Sequence, residues 1–184
     1  MIIRPAHSTE AYQIAALMNL AMLEITHQFI GEENQEKANR FLAYFIAQDN
    51  NQYSYQNIFV AEENNEIFGQ ISMYDGAKLK ALRQPIWDKI KDDRGIDYWA
   101  QDETQAGEMY IDTFAVSSKA QGKGIGKQLL QYAIDEVVVK QKKVLGLLVD
   151  KDNPDAKRLY ERMGFKVVKD IHIFGKVMEH MQYA

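Results

Sequence analysis

The segment Gln121-Gly122-Lys123-Gly124-Ile125-Gly126 constrains the fold of this chain more than any other feature of its sequence. Glycines at this density let the backbone take positive φ angles and approach a ligand closely. The β-branched and aromatic run 109–116 predicts a strand before this turn. Apolar residues at Leu130, Ala133 and Val137 share a face with Gly126 and predict a helix after it. A strand, a glycine turn and a helix in this order indicate a mixed α/β domain whose helix start could bind phosphate.

The spacing of the glycines excludes two common phosphate-binding loops. A P-loop requires G-x-x-x-x-G-K-[ST], but Gln121 stands at its first glycine and Gln128 at its hydroxyl position. A dinucleotide fingerprint requires G-x-G-x-x-G, and Lys127 stands at its third glycine. The glycines alone therefore leave two interpretations open: a phosphate cradle with Lys123 and Lys127 at its rim, and a flexible turn that only caps a helix.

Hydrophobic patterns divide the rest of the chain into further strands and helices. We predict strands at 2–5, 58–61, 67–74, 144–149, 165–168 and 171–174, and helices at about 14–25, 34–48, 85–91, 126–137 and 153–163. Ser8 or Thr9 would cap the first helix, and Gly164 would end the last one. The sequence contains no repeat or linker, so we predict one mixed α/β domain over residues 1–184.

Composition excludes several classes of function. The net charge of −4 and the lack of a clustered basic face argue against a nucleic-acid partner. No apolar run approaches the roughly 18 residues of a membrane span, and the N-terminus lacks a signal-peptide pattern, so we expect a cytoplasmic protein without a membrane partner. The chain has no cysteine, which excludes disulfides, thiolate-bound zinc and a cysteine nucleophile. Its four histidines lack ligand spacing, so we expect no metal.

A second motif follows the predicted strand 144–149. Asn153, Ala156, Leu159, Tyr160, Gly164 and Phe165 fit the pattern N-x-x-A-x-x-L-Y-x-x-x-G-F. Together with Q-x-x-G-x-G at residues 121–126, this motif resembles the two signatures of the GNAT family of N-acetyltransferases, in the same order and spacing. The resemblance is strongest from Tyr110 to Phe165, and two ordered motifs are far more specific than either one alone.

The resemblance implies a fold and a cofactor. The fold is a twisted, mostly antiparallel mixed sheet of about seven strands, with a central parallel pair that splays into a V and helices on both faces. Acetyl-CoA would bind in the split as acetyl donor, with its pyrophosphate on backbone N–H groups of residues 121–127 and its pantetheine arm along residues 114–116. The implied cofactor-binding residues are Phe114, Ala115, Val116, Gln121, Gly122, Lys123, Gly124, Ile125, Gly126, Lys127, Asn153, Ala156 and Tyr160.

The resemblance also implies acetyl transfer to a primary amine, by direct attack because no cysteine is available for an acyl-enzyme. Tyr160 would protonate the departing thiolate, although its helix face also suits a core aromatic residue. Some family members carry a catalytic glutamate where this chain has Tyr110, which argues against a direct carboxylate base at that position. Asp112 and Glu108 are the candidate bases, and the base could act through water. Glu108, Tyr110, Asp112 and Phe114 alternate on one face of the predicted strand, and Asp112 suits a structural hydrogen-bond acceptor equally well.

The acceptor remains open at this stage. The segment 88–108 has seven carboxylates against three basic residues, and Trp87, Tyr98 and Trp99 accompany them. Such a surface suits a cationic amine, or is a solvated insertion. We expect a small-molecule amine or a protein amine as acceptor, with a small cationic amine favoured, and residues 26–29 and 52–55 as further lining. The family implies a homodimer, and the alternative function is a non-catalytic acetyl-CoA-binding regulatory module.

Overall fold

The computed structural model describes residues 1–184 and forms one seven-stranded sheet with helices on both faces. The strands are β1 (Ile2–Pro5), β2 (Ile58–Glu63), β3 (Glu66–Asp75), β4 (Glu108–Val116), β5 (Val144–Asp150), β6 (Lys166–Ile173) and β7 (Lys176–Tyr183). Their order in the sheet is β1-β2-β3-β4-β5-β7-β6, and β4 and β5 form the one parallel pair. The predicted mostly antiparallel mixed sheet with a central parallel pair is confirmed.

Five α-helices cover the sheet. They are α1 (Ala11–Ile30), α2 (Gln35–Ile46), α3 (Leu79–Arg94), α4 (Ile125–Ile134) and α5 (Pro154–Met163), and a π-helical turn over Asp135–Lys140 extends α4. Asn34 caps α2 and Asn153 caps α5 through side-chain oxygens, while Gly164 ends α5 in the left-handed conformation that glycine tolerates best. No single helix is long and apolar enough to cross a membrane; α1 with its preceding turn and α2, bent by 93°, meet that test only as a pair.

Two hydrophobic layers hold the sheet between them. Helices α1, α2 and α3 bury residues such as Met18, Leu42 and Ile86 on one side. Helices α4 and α5 bury residues such as Leu130 and Tyr160 on the other. Fully burying a large aliphatic side chain stabilises the folded state by about 1.5–3 kcal/mol. Both layers therefore contribute strongly to the stability of the sheet.

Helix α3 is longer than the sequence predicted. The prediction placed a short helix at 85–91 with Pro85 in its first turn, whereas α3 runs from Leu79 to Arg94 with Pro85 inside it. An interior proline costs about 3 kcal/mol. Leu79, Ile86 and Ile90 are buried at helical spacing on one face, and this burial offsets the cost of the proline. At the start of α1, Ser8 and Thr9 lie in a 3₁₀ turn, and neither side chain caps the helix.

The end of the chain also differs from the prediction. The segments 165–168 and 171–174 were predicted as the last two strands, but they belong to a single strand, β6. The final strand, β7, was missed and inserts between β5 and β6. Its central residues Glu179 and His180 are polar yet buried, so the apolar alternation that identifies a strand is absent from this segment.

The parallel pair β4 and β5 separates partway along its length. Pairing runs from Glu108 opposite Val144 to Ile111 opposite Leu147 and then stops. Strand β4 continues to Val116 against β3, and β5 continues to Asp150 against β7. The predicted V-shaped split therefore opens after Ile111, between two strands whose facing edges have no strand partner.

A β-bulge lies at the mouth of this split. In the β3–β4 pairing, Ser72 faces Thr113 and Met73 faces Ile111, so Asp112 is an extra residue with no partner. The bulge reverses the alternation of β4 beyond this point. Phe114 consequently packs in the layer of α4, while Asp112 points to the opposite layer, where it contacts Tyr74. The expectation that Phe114 shares a face with Glu108, Tyr110 and Asp112 was therefore wrong.

Candidate active site

The split between β4 and β5 opens into a cleft with a volume of about 1390 Å³. The glycine turn with the start of α4 and the start of α5 form one part of its wall. Residues of α1, α3 and the loop before β4 form the other part. Small-molecule pockets usually have volumes of roughly 300–1,000 Å³, so this cleft has room for a large ligand and a second, smaller one.

The glycine turn presents unpaired donors to the cleft. Gly122 and Gly124 have φ angles of 78° and 76°, and Gly124 is the residue before α4. No side chain caps this helix, so the N–H groups of its first turn, Ile125 to Lys127, lack intrahelical partners. A Cβ atom on Gly122 or Gly124 would meet no protein atom within 4 Å. The turn therefore leaves open space over three backbone donors at the positive end of a helix dipole.

Residues of the turn also make contacts within the protein. The N–H of Gln121 is already used within the turn, where it donates to the carbonyl of Ser118. A Cβ atom on Gly126 would lie 3.1 Å from the Phe114 ring, so this glycine allows close packing of α4 on β4. Lys127 lines the cleft, whereas Lys123 does not and instead lies with its Nζ 5.9 Å from the ring centroid of Phe68.

The start of α5 lies across the split from the glycine turn. Asn153 Oδ1 accepts the N–H of Ala156 at 3.1 Å, which leaves the two N–H donors of its amide free for other partners. Asn153, Ala156, Leu159 and Tyr160 all line the cleft. This part of the wall thus contains four of the six residues that the second sequence motif singled out.

Tyr160 has a position that is compatible with both interpretations that the sequence left open. Its ring packs against Phe114 and Phe165, with centroids 6.3 Å and 6.0 Å away, and only 8% of the residue is exposed. It also lines the cleft. Burial raises the pKa of Tyr160 to about 12. The phenol therefore keeps its proton at neutral pH and can act as a proton donor to a group in the cleft.

Asp112 lines the cleft beside a second carboxylate, Glu103, which comes from the loop before β4. Asp112 Oδ1 accepts from Gln52 Nε2 at 3.0 Å and from the Tyr74 hydroxyl at 3.4 Å. Glu103 Oε1 lies 2.5 Å and 3.2 Å from the same two groups, and the single hydrogen of the Tyr74 hydroxyl can go to only one of the two carboxylates at a time. Burial, followed by the negative charge of Glu103, raises the pKa of Asp112 well above its ordinary value. No local pattern in the sequence predicts that Glu103 lies beside Asp112.

The structure places Glu108, the other candidate base, away from the cleft. Its carboxylate is 1% exposed and hydrogen-bonds His180 Nε2 at 2.8 Å, Thr104 Oγ1 at 2.7 Å and Gln182 Nε2 at 2.7 Å. Gly146 makes room for it, since a Cβ there would lie 2.1 Å from Glu108 Oε2. Burial opposes ionisation of Glu108, but these three partners outweigh it and lower its pKa. Glu108 is thus a buried structural group.

The acceptor side of the cleft is only partly the surface that the sequence suggested. Gln28, Phe29, Gln52, Tyr53, Trp87 and Tyr98 line it, and Glu103 is the one carboxylate of the segment 88–108 that does. Trp99 is 72% exposed and lies outside the cleft. The guanidinium of Arg83 sits 4.2 Å from the centroid of Trp87 and pairs with Asp102. A cation already covers one face of Trp87.

Comparisons with known proteins agree with this fold. The Acetyltransferase (GNAT) family matches residues 16–165. A solved acetyltransferase structure is 31% identical, with a TM-score of 0.82 over 99% of this chain and 98% of that one. A Salmonella typhimurium protein solved with its cofactor acetyl-CoA has a TM-score of 0.58 at 20% identity, over 100% of this chain and 92% of that one, which shows likeness of fold.

Among curated proteins, a spermine/spermidine N(1)-acetyltransferase from Bacillus subtilis (strain 168) is 33% identical over 79 residues. These residues are 42% of this chain and 52% of the relative. The chain thus spans about half the length of the curated relatives it matches.

Proposed function

This chain belongs to the GNAT family of acetyltransferases, and we propose that it transfers the acetyl group of acetyl-CoA to a primary amine by direct attack. The observation that carries the proposal is the split between β4 and β5. Its edge holds the uncapped start of α4, its wall holds Tyr160, and its far side holds Asp112. A phosphate cradle, a proton donor and a carboxylate thus line one cleft.

The residues that would hold acetyl-CoA follow from the free donors of the cleft. The N–H groups of Ile125, Gly126 and Lys127 suit the pyrophosphate, because a helix N-terminus attracts anions. The edge of β4 beyond Ile111 faces the split without a strand partner, so its backbone can pair with the amides of an extended pantetheine arm. Bound in this way, acetyl-CoA would supply an activated acetyl thioester.

Three groups of the chain then serve the transfer. An amine must lose a proton before it can attack, and Asp112 is the carboxylate in the cleft that can take it. A backbone N–H of residues 114–116 donates to the acetyl oxygen as it gains negative charge. Tyr160 gives its proton to the sulfur that leaves, and it recovers a proton from the new amide nitrogen. Glu108 takes no part, because it is buried in its own hydrogen bonds.

A small cationic amine is the acceptor that we favour. Asp112 and Glu103 are the acidic groups deep on the acceptor side, and Tyr53 and Tyr98 add aromatic walls near them. The positive charge of Arg83 is balanced by Asp102, which leaves the carboxylate pair to attract a cation. The relative from Bacillus subtilis, which is a polyamine acetyltransferase by name, makes spermidine and spermine the first acceptors to test.

The proposal is tested by free-thiol release from acetyl-CoA across polyamines, aminoglycosides, amino acids and peptides, with mass spectrometry of each product. We expect turnover with at least one amine and an N-acetylated product. Tight acetyl-CoA binding without turnover on any amine would favour the regulatory module instead. Absence of acetyl-CoA binding would refute both functions.

A further inference from the structure

Glu103 and Asp112 share their hydrogen-bond donors. Gln52 Nε2 and the Tyr74 hydroxyl each lie within hydrogen-bonding distance of both carboxylates. Both donors are neutral, and Asp112 Oδ2 is buried without any partner in the protein. The two carboxylates are therefore close together, poorly solvated and short of donors.

We propose that Glu103 and Asp112 hold one proton between them in the free enzyme and work as a single proton-accepting pair, with Glu103 as the positioning residue for Asp112. The inference rests on the proposed function, in which Asp112 takes the proton of the acceptor. Two adjacent buried carboxylates resist double ionisation because each charge disfavours the other. The protons of such a pair belong to the pair rather than to either residue.

The surrounding charges support this arrangement. Tyr53, Tyr74, Tyr98 and Tyr110 lie near enough to the pair to feel its charge, and burial keeps all four phenols protonated by raising the pKa of each. The charge of Arg83 opposes the rise in the pKa of Glu103 that burial causes, but Arg83 forms its salt bridge with Asp102 and not with Glu103. The pair therefore has no salt-bridged counter-ion of its own, and an incoming ammonium group could take that place.

The proton balance of one turnover follows directly. An ammonium group that enters the acceptor side favours the doubly ionised pair, so the shared proton leaves to solvent. The ammonium then gives one proton to the pair and becomes a neutral amine, which forms the C–N bond while the C–S bond breaks. The second proton leaves the nitrogen as Tyr160 recovers the one it gave to sulfur. The pair ends as it began, with one proton.

The pH profile of kcat/KM tests the pair through two variants with opposite expected shifts. Glu103→Gln removes the like charge, so Asp112 ionises more readily and the acidic limb moves to lower pH, with a lower plateau because the base is weaker. Tyr74→Phe removes a donor shared by both carboxylates, so the acidic limb moves to higher pH. Asp97→Asn is the matched control, because this carboxylate lies in the same segment but is 85% exposed and pairs with Lys91; its limb should stay in place.

Titration of ¹³C-labelled carboxyl groups by NMR gives a readout that does not depend on turnover. The wild-type pair should titrate in two well-separated steps, and Glu103→Gln should leave one step for Asp112. Limbs that stay in place in both variants, or that move in the same direction, would overturn the pairing. If the wild-type protein lacks acetyl transfer altogether, the proposed function fails, while the NMR titration still decides whether the proton is shared.

Discussion

Replacing Gly124 by leucine should separate the phosphate cradle from ordinary backbone stability. Gly124 has a φ of 76°, a conformation that costs a non-glycine residue about 1–2 kcal/mol. Gly95, which ends α3, has a φ of 67°, and a Cβ there would likewise meet nothing within 4 Å. Gly95→Leu should therefore lower the free energy of unfolding by about the same 1–2 kcal/mol. Gly95 is the matched control because it does not line the cleft.

The two variants should differ in cofactor affinity. A leucine at Gly124 would project into the open space beside the donors of Ile125 to Lys127 and displace the pyrophosphate. A hydrogen bond to a charged group is worth about 1.5–3 kcal/mol. Loss of one such bond raises the Kd of acetyl-CoA roughly 10- to 150-fold, whereas Gly95→Leu should leave it unchanged.

Isothermal titration calorimetry gives the Kd, and thermal unfolding without ligand gives the stability. A Gly124→Leu protein that is destabilised like Gly95→Leu but binds acetyl-CoA with wild-type affinity would refute the assignment of the turn as a pyrophosphate site. Equal loss of affinity in both variants would point to a general effect of destabilisation and would refute the assignment as well.

Further outcomes for Tyr160 and Glu108 follow from the site. Tyr160→Phe should lower kcat about 10²-fold or more with an unchanged Kd for acetyl-CoA, measured by stopped-flow thiol release and calorimetry. The pKa of Tyr160 is about 12, so the hydroxyl keeps its proton until the pH approaches that value. Ionisation of Tyr160 should therefore cause no fall in kcat from neutral pH to moderately alkaline pH. Glu108→Gln should lower the free energy of unfolding by about 1.5–3 kcal/mol, because buried partners of Glu108 lose a charged acceptor, while kcat/KM of the folded enzyme changes little. The folded pKa of Glu108 is lowered, so its contribution is complete above the unfolded value of about 4.3 and is lost as pH falls through the folded one. Urea unfolding should therefore be less acid-sensitive in Glu108→Gln.

Local signals explain what the sequence could predict. Asn153 and Gly164 bracket α5 because an Asx cap and a left-handed glycine act on the residues beside them. The glycine turn was found in the same way, since Gly122 and Gly124 serve the conformation of their own backbone. These features depend only on neighbouring residues, so they can be predicted from a single sequence.

Non-local contacts explain what the sequence could not predict. Glu103 reaches Asp112 only because its loop packs over Gln52 and Tyr74, which are distant in sequence. The bulge at Asp112 depends on a register shift against β3, and no residue in the run 109–116 marks it. The sequence prediction assumes that side chains alternate without interruption along the whole strand. It therefore places Phe114 on the wrong face.

Glu108 and Asp112 are both carboxylates on β4, and they differ in their hydrogen-bond partners. Glu108 has three partners to itself, one of which is His180, and they lower its pKa despite burial. Asp112 shares two neutral donors with Glu103, and burial beside that second charge raises its pKa. A carboxylate with its own donors is held ionised and stabilises the fold, whereas one that lacks them gains by taking a proton. The number of donors per carboxylate therefore distinguishes the ionised, buried Glu108 from Asp112, the proposed base, although the two residues are four positions apart.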